Sequence, residues 1–147
     1  MDALRSWLTH PGTIRLCQIV VGVVFAWAAL AKIGDLRGFA VDVHNFRIVP
    51  VALENLVALT FPWIELVAAM SLVLGIRARS GAVVTLALMV VFTAAVAAAV
   101  ARGLDIECGC FGTEDGATVG VKKLAENVVL VLVAGVATLP RAGRRAG

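Results

Sequence analysis

The chain has 147 residues, of which 61% are hydrophobic and only 16% are charged. Soluble domains have about half of their residues apolar and about a quarter charged, so this composition excludes an ordinary soluble protein. The net charge of +3 is small and divided between both ends of the chain, which gives no basic patch for a nucleic acid. The chain is therefore expected to lie in a lipid bilayer.

Four long apolar stretches, separated by short polar segments, predict four transmembrane helices. Each stretch has close to the ~20 residues that cross a ~30 Å hydrocarbon core as a helix. No internal repeat divides the sequence, so we expect one integral membrane domain over residues 1–147, folded as an all-α, four-transmembrane-helix bundle. The predicted spans are about 14–33, 51–74, 81–101 and 119–139, and the loop 102–118 joins the last two.

Local features of these stretches qualify the prediction. The first stretch follows Arg5 and in this respect resembles a cleavable signal peptide. Its apolar run is longer than a usual signal core, so we expect it to remain in the protein as a transmembrane span. Pro62 predicts a kink in the second span, which a membrane helix tolerates where neighbours satisfy the freed carbonyl. The third span carries no charge, whereas Lys122, Lys123 and Glu126 occupy the first turns of the fourth.

The basic residues predict the orientation of the chain in the cell membrane. Lys and Arg are divided almost equally between the two sides, but the compact clusters lie on one side, at the Arg77 and Arg79 turn and in the "RAGRR" tail. Because positive clusters stay inside, we expect both termini in the cytoplasm. The "ECGCFG" loop then faces the extracytoplasmic side, where disulfides form and persist.

Cys108 and Cys110, separated only by a glycine, are the main candidate functional residues. A structural zinc site needs four Cys or His ligands, and only His44 lies on the same side to join them, so no metal site is expected. A disulfide needs Cα atoms about 5.5–6 Å apart, and Gly109 permits the necessary bend. So small a ring stabilises the fold little, which favours an exchangeable bridge. Two reduced structural thiols remain the alternative, and Cys17 is expected to be a packing residue.

Three ionisable residues are predicted near the outer surface, on the same side as the cysteine loop. Charged groups inside a span are costly and are candidates for function. Lys32 is expected to stabilise a thiolate, and Glu54 or Glu126 to transfer its proton. The alternative is structural: Lys32 snorkels to the headgroups, and Glu126 pairs with a lysine at helical spacing.

Other polar residues of the spans are expected to be structural. Glu65 lies near the middle of the second span, and its predicted partners are Arg15 or Gln18, from the cytoplasmic end of the first. An ion pair between Glu65 and Arg15 would fix the packing of these two helices. Asn127 lies in the outer part of the fourth span and is also expected to be a structural polar residue.

The sequence resembles a known family. The features that carry the resemblance are "AKIGDLRGF" at the end of the first helix, a glutamate at the middle of the second, the four-span plan and "CGCFG" before the last span. Together they look like the MauE family of methylamine utilisation, within the wider group of DoxX-like membrane proteins. The resemblance implies redox or disulfide chemistry that supports maturation of methylamine dehydrogenase, whose small subunit is rich in disulfides. It also implies a bundle similar to those of vitamin K epoxide reductase and disulfide-bond protein B, which commonly use C-x-x-C where this chain has C-x-C.

The leading interpretation is a thiol–disulfide oxidoreductase. Its redox-active Cys108–Cys110 disulfide would exchange with an extracytoplasmic thiol protein through a mixed disulfide. A membrane quinone is the cofactor that this chemistry would use, and Trp27, Phe61 and Trp63 are the residues expected to line its cleft. A non-catalytic scaffold or chaperone for a redox partner is the alternative, and a small transporter with a path past Glu65 is the third.

Overall fold

A computed structural model describes residues 9–104 and 121–140 of the chain. All the regular structure in these residues is helical, as predicted. Five helices follow one another, and the second of them is short. They are α1 (Pro11–Gly34), α2 (Leu36–Phe46), α3 (Val51–Leu74), α4 (Ala78–Ala101) and α5 (Val121–Ala137).

Three of the helices are long and apolar enough to cross a membrane. Each of α1, α3 and α4 has 24 residues, which gives a length of about 36 Å against a hydrocarbon core of ~30 Å. Their outward faces carry large apolar side chains such as Leu16, Val67 and Val91, which are 62%, 70% and 63% exposed. The fourth apolar helix, α5, is shorter, with 17 residues. The chain is thus a multi-pass membrane protein.

The four apolar helices form an antiparallel bundle. Each of α1 and α4 packs against both α3 and α5, so that α1 and α4 occupy diagonal corners. Val21 and Phe25 of α1, Leu72 of α3 and Met89 of α4 meet in the core, together with Ala134 of α5. The predicted four-helix bundle is therefore present, and α3 continues through the fully buried Pro62.

The contact between α1 and α3 depends on Gly22. A Cβ at this position would lie 2.8 Å from Val73 Cγ2, 3.0 Å from Leu72 Cβ and 3.1 Å from the Ala69 carbonyl oxygen. Small residues of this kind allow membrane helices to approach closely. The glycine thereby sets which residues of the two helices lie side by side.

Gly22→Ala is expected to lower the free energy of unfolding by about 1–3 kcal/mol, because the added methyl group overpacks the contact and pushes α1 from α3. Gly135→Ala is the matched control, since a Cβ there meets nothing within 4 Å. It should leave stability unchanged or raise it by up to about 1 kcal/mol. Unfolding in detergent micelles measures both variants. Equal effects at the two positions would contradict the packing described for Gly22.

The sequence prediction missed α2, a short amphipathic helix that lies at one end of the bundle. Asp35 caps its N-terminus by accepting a hydrogen bond from the Gly38 N–H at 2.9 Å. Its buried face carries Phe39 and Val43, which pack against α3, and Phe46, which packs against α4. We call this the α2 end of the bundle; α1 and α4 finish there, and α3 and α5 begin there.

Candidate functional site: a buried ion pair

Lys32 of α1 and Glu65 of α3 form an ion pair inside the bundle. The Lys32 ammonium donates to both carboxylate oxygens of Glu65, with Nζ–Oε1 and Nζ–Oε2 distances of 3.2 and 3.0 Å. The two side chains are only 4% and 6% exposed. Burying a charge costs several kcal/mol, and the opposite charge of the partner offsets part of that cost.

The two side chains meet because α1 and α3 run in opposite directions. A Cα–Cβ bond tilts toward the N-terminus of its own helix. Lys32, near the end of α1, therefore leans back toward the middle of the bundle. Glu65, beyond the middle of α3, leans toward the α2 end. The long lysine stem covers the remaining distance.

The predicted pairing of Glu65 with Arg15 or Gln18 is wrong. Arg15 donates from Nη1 to the Leu72 carbonyl and from Nη2 to the Val73 carbonyl, both at 2.7 Å. These carbonyls lie in the last turn of α3, about 10 Å along the helix from Glu65. The last carbonyls of a helix have no partner within it and carry partial negative charge, so a guanidinium there stabilises the helix end.

Gln18 has a similar role on the neighbouring helix. Its Nε2 donates to the Ala137 carbonyl at 3.0 Å, at the C-terminus of α5, and the side chain is 3% exposed. Two polar residues of α1 thus close the ends of the two helices that flank it. Arg15 thus contacts the end of a helix and does not form the predicted ion pair with Glu65.

Arg15→Lys is expected to lower the free energy of unfolding by about 1–3 kcal/mol, because one ammonium cannot reproduce the two-pronged contact of the guanidinium with two carbonyls. Arg79→Lys is the control: Arg79 is exposed in the first turn of α4, and its change should fall within about 0.5 kcal/mol. Chemical unfolding in micelles tests both. A loss at Arg79 as large as that at Arg15 would contradict the capping role.

The ion pair borders a cavity of about 40 Å³ in the middle of the bundle, which we call the central cavity. Asn127 of α5 is the third polar residue on its wall. This side chain is 3% exposed, and its Nδ2 finds no hydrogen-bond acceptor among the described residues. A buried amide without an acceptor costs about 1–3 kcal/mol. Three polar groups converging inside an apolar bundle define a candidate site.

Lys32, Glu54 and Glu126 have different surroundings in the structure. Lys32 is committed to Glu65. Glu54 lies at the α2 end, where its two carboxylate oxygens are 3.0 and 3.1 Å from His44 Nδ1. Glu126 is exposed on α5. The contact between Glu54 and His44 joins α2 to the start of α3. It could not be predicted from the sequence because α2 itself was not predicted.

The three aromatic residues predicted to line a quinone cleft are also separated. Phe61 lies on the wall of the central cavity and packs against Phe39 of α2, with ring centroids 6.3 Å apart. Trp27 and Trp63 are 70% and 50% exposed. Their side chains lie on outward faces of α1 and α3, where a bilayer would surround them.

Of the three cysteines, only Cys17 lies in the part of the chain that the structure describes. Cys17 is a half-buried free thiol that packs against the core, which agrees with the packing role predicted for it. Cys108 and Cys110 lie outside the described residues. Their segment nevertheless has both of its attachment points at the α2 end, because it joins α4 to α5.

The fold and the site together define a multi-pass membrane protein with a polar cluster in its helical bundle. The family model for the methylamine utilisation protein MauE matches residues 10–140. The chain is 35% identical over 132 residues to the methylamine utilization protein MauE of Paracoccus denitrificans, a match over 89% of this chain and 71% of that protein. The chain belongs to the MauE family.

Two further relatives carry the same name. MauE of Methylorubrum extorquens is 36% identical over 109 residues, which cover 74% of this chain and 59% of the relative. MauE of Paracoccus versutus is 36% identical over 129 residues, which cover 86% of this chain and 69% of the relative. The chain therefore spans less than three quarters of the length of each of these relatives. No solved structure matches it.

Proposed function

We propose that this MauE family member is a membrane thiol–disulfide redox protein that uses Cys108 and Cys110 on the extracytoplasmic side. The observation that supports this most is the position of the two helix ends between which the "CGC" residues lie in the sequence. The end of α4 and the start of α5 are both at the α2 end of the bundle, opposite Arg77, which precedes α4, and Arg79 in the first turn of α4. Under the positive-inside rule the cysteine pair then lies in the compartment where disulfides persist.

The exchange proceeds by two thiolate attacks. A partner thiolate attacks one sulfur of the Cys108–Cys110 disulfide, which breaks the S–S bond and forms a mixed disulfide. The second partner thiolate attacks the mixed disulfide and releases the reduced pair. Two electrons and two protons pass from the partner dithiol to Cys108 and Cys110, and the partner leaves with a disulfide. The ring closed by a C-x-C bridge is small and stabilises the fold little, which favours easy opening.

Acidic side chains at the α2 end supply the proton transfer. Glu126 is exposed in the second turn of α5, soon after the cysteine segment, and Glu54 lies in the first turn of α3. Their carboxylates are the proton acceptors for the attacking and leaving thiols. Lys32 acts indirectly, because its bond to Glu65 holds the end of α1 against α3.

A membrane quinone would supply the oxidising equivalents that return Cys108 and Cys110 to the disulfide, taking up two electrons and two protons, and Phe61 would be among the residues that hold it. An apolar cavity of about 130 Å³ between α2, α3 and α4 supports this step. Phe61 lies on its wall together with Phe39, Phe46 and Phe92. The partner that receives disulfides is an extracytoplasmic thiol protein such as methylamine dehydrogenase, since the relatives are named for methylamine utilisation.

A redox titration tests the proposed function. The protein in lipid nanodiscs is equilibrated with thiol buffers of defined potential, and its free thiols are then alkylated. After digestion, mass spectrometry determines the mass of the loop peptide. We expect Cys108 and Cys110 to interconvert between dithiol and disulfide with a midpoint above about −300 mV, the range of exchangeable bridges. The function is excluded if no bridge forms, or if the bridge resists reduction at that potential. Cys17, which should remain a free thiol at every potential, is the internal control.

A further inference from the structure

A side-chain amide on the wall of the central cavity has no hydrogen-bond acceptor among the described residues. Asn127 lies on the wall of this cavity with Lys32, Glu65 and apolar side chains that include Phe25 and Met89. Neither N–H of its Nδ2 has an acceptor among the described residues. Polar groups buried in native structures nearly always have a partner, so an amide of this kind indicates a ligand oxygen.

The cavity meets both requirements for buried water. A water molecule needs about 10–15 Å³ of such space and two to four polar partners. The cavity offers about 40 Å³, which is room for up to about three waters. Its wall offers an amide, a carboxylate and an ammonium, from Asn127, Glu65 and Lys32. A wholly apolar cavity of the same volume would stay dry.

We infer that the central cavity is a binding site for ordered water within the membrane-spanning part of the bundle. The Asn127 amide donates to the oxygen of a water molecule, and that water donates to the carboxylate of Glu65. The site needs no movement of the ion pair, because the Lys32–Glu65 contacts of 3.0 and 3.2 Å remain in place.

Bound water changes what the ion pair can do. Lys32 and Glu65 are sealed from bulk solvent by their burial, and a water molecule beside them supplies protons that exchange. Ionisable residues in contact with internal water are recurring components of proton paths through membranes. Asn127 is the seventh residue of α5, about 9 Å from its start. The water site therefore lies toward the α2 end. Water binding here does not depend on the redox function proposed for Cys108 and Cys110.

Thr85 provides a matched comparison. Its Oγ is also buried and also lacks a hydrogen-bond partner among the described residues, but Thr85 is not on the wall of the central cavity. A threonine-to-valine change there keeps the shape of the side chain and removes an unpaired hydroxyl. It controls for the loss of a buried polar atom without touching the proposed water site.

Nuclear magnetic resonance of the full chain in nanodiscs tests the inference. With ¹⁵N-labelled asparagine, the side-chain spectrum contains only Asn45, Asn55 and Asn127. We expect cross-peaks between the Asn127 amide protons and a long-lived water, with the nuclear and rotating-frame Overhauser effects opposite in sign to each other. Thr85→Val should retain these peaks, and Asn127→Leu should lose them.

The unmodified protein alone decides the outcome if Asn127→Leu fails to fold. An Asn127 amide that shows cross-peaks only to side-chain or lipid protons, and none to water, would overturn the water site. Water cross-peaks that disappear in Thr85→Val would also overturn it, because they would assign the water to a different cavity.

Discussion

Lys32→Met is expected to lower the free energy of unfolding by about 3–5 kcal/mol, since it leaves the Glu65 carboxylate buried without its counter-charge. Glu65 is 5% exposed, so its carboxylate is shielded from bulk solvent. Lys122→Met removes an exposed lysine from the first turn of α5 and is the control, with an expected change within about 0.5 kcal/mol. Reversible unfolding in mixed micelles measures both.

The double variant Lys32→Met with Glu65→Met separates pairing from simple burial. Replacing a buried ion pair by apolar residues of similar size is often neutral or stabilising, so the double variant should recover most of the stability lost by Lys32→Met alone. The wild type, the single variants Lys32→Met and Glu65→Met, and the double variant form a double-mutant cycle, in which the double variant should lose much less stability than the sum of the two single losses. Strictly additive losses would contradict the ion pair.

Cys108→Ser with Cys110→Ser is expected to abolish thiol–disulfide exchange, reducing the rate of partner oxidation to the uncatalysed background. The reason is chemical: a serine hydroxyl cannot form or open a disulfide. Exchange is measured with a reduced extracytoplasmic thiol protein and an added quinone. Cys17→Ser should leave the rate unchanged, because this half-buried thiol packs against the core near the start of α1, away from the α2 end.

The same double variant distinguishes an oxidoreductase from a scaffold. A scaffold that only docks its partner would support partner maturation without either cysteine, provided that the variant folds. Retained maturation with a native unfolding midpoint would therefore favour the scaffold. Lost maturation with a native midpoint is the result expected for a redox protein.

The helices of membrane length could be predicted from the sequence because length and hydropathy determine them. The predicted span 51–74 coincides with α3, while α1 and α4 each begin three residues before their predicted spans. The helix α2 was not predicted because its 11 residues are too few to cross a membrane and include polar and charged side chains. Its Asp35 cap and the spacing of Phe39, Val43 and Phe46 are the signals that identify an amphipathic helix.

The candidate site was predicted only in part. Lys32, Glu65 and Asn127 stand out in the sequence as polar residues within apolar stretches, but their grouping depends on how α1 and α3 are aligned. That alignment is set by contacts such as Gly22 against Leu72 and Val73. In this alignment Arg15 contacts the end of α3, and Glu65 forms its ion pair with Lys32. A single sequence records no such register between helices.

Trapping of the mixed disulfide tests the proposed redox function most directly. Cys108→Ser and Cys110→Ser are made singly, so that the remaining cysteine cannot be released by its neighbour, and membranes are alkylated and separated without reductant. In one of the two variants we expect the remaining thiolate to attack the disulfide of an oxidised exported partner, which releases one partner thiolate and leaves the partner bound through a mixed disulfide. The adduct should be released by dithiothreitol and absent from the double serine variant. No adduct in either single variant would contradict thiol–disulfide exchange by this protein.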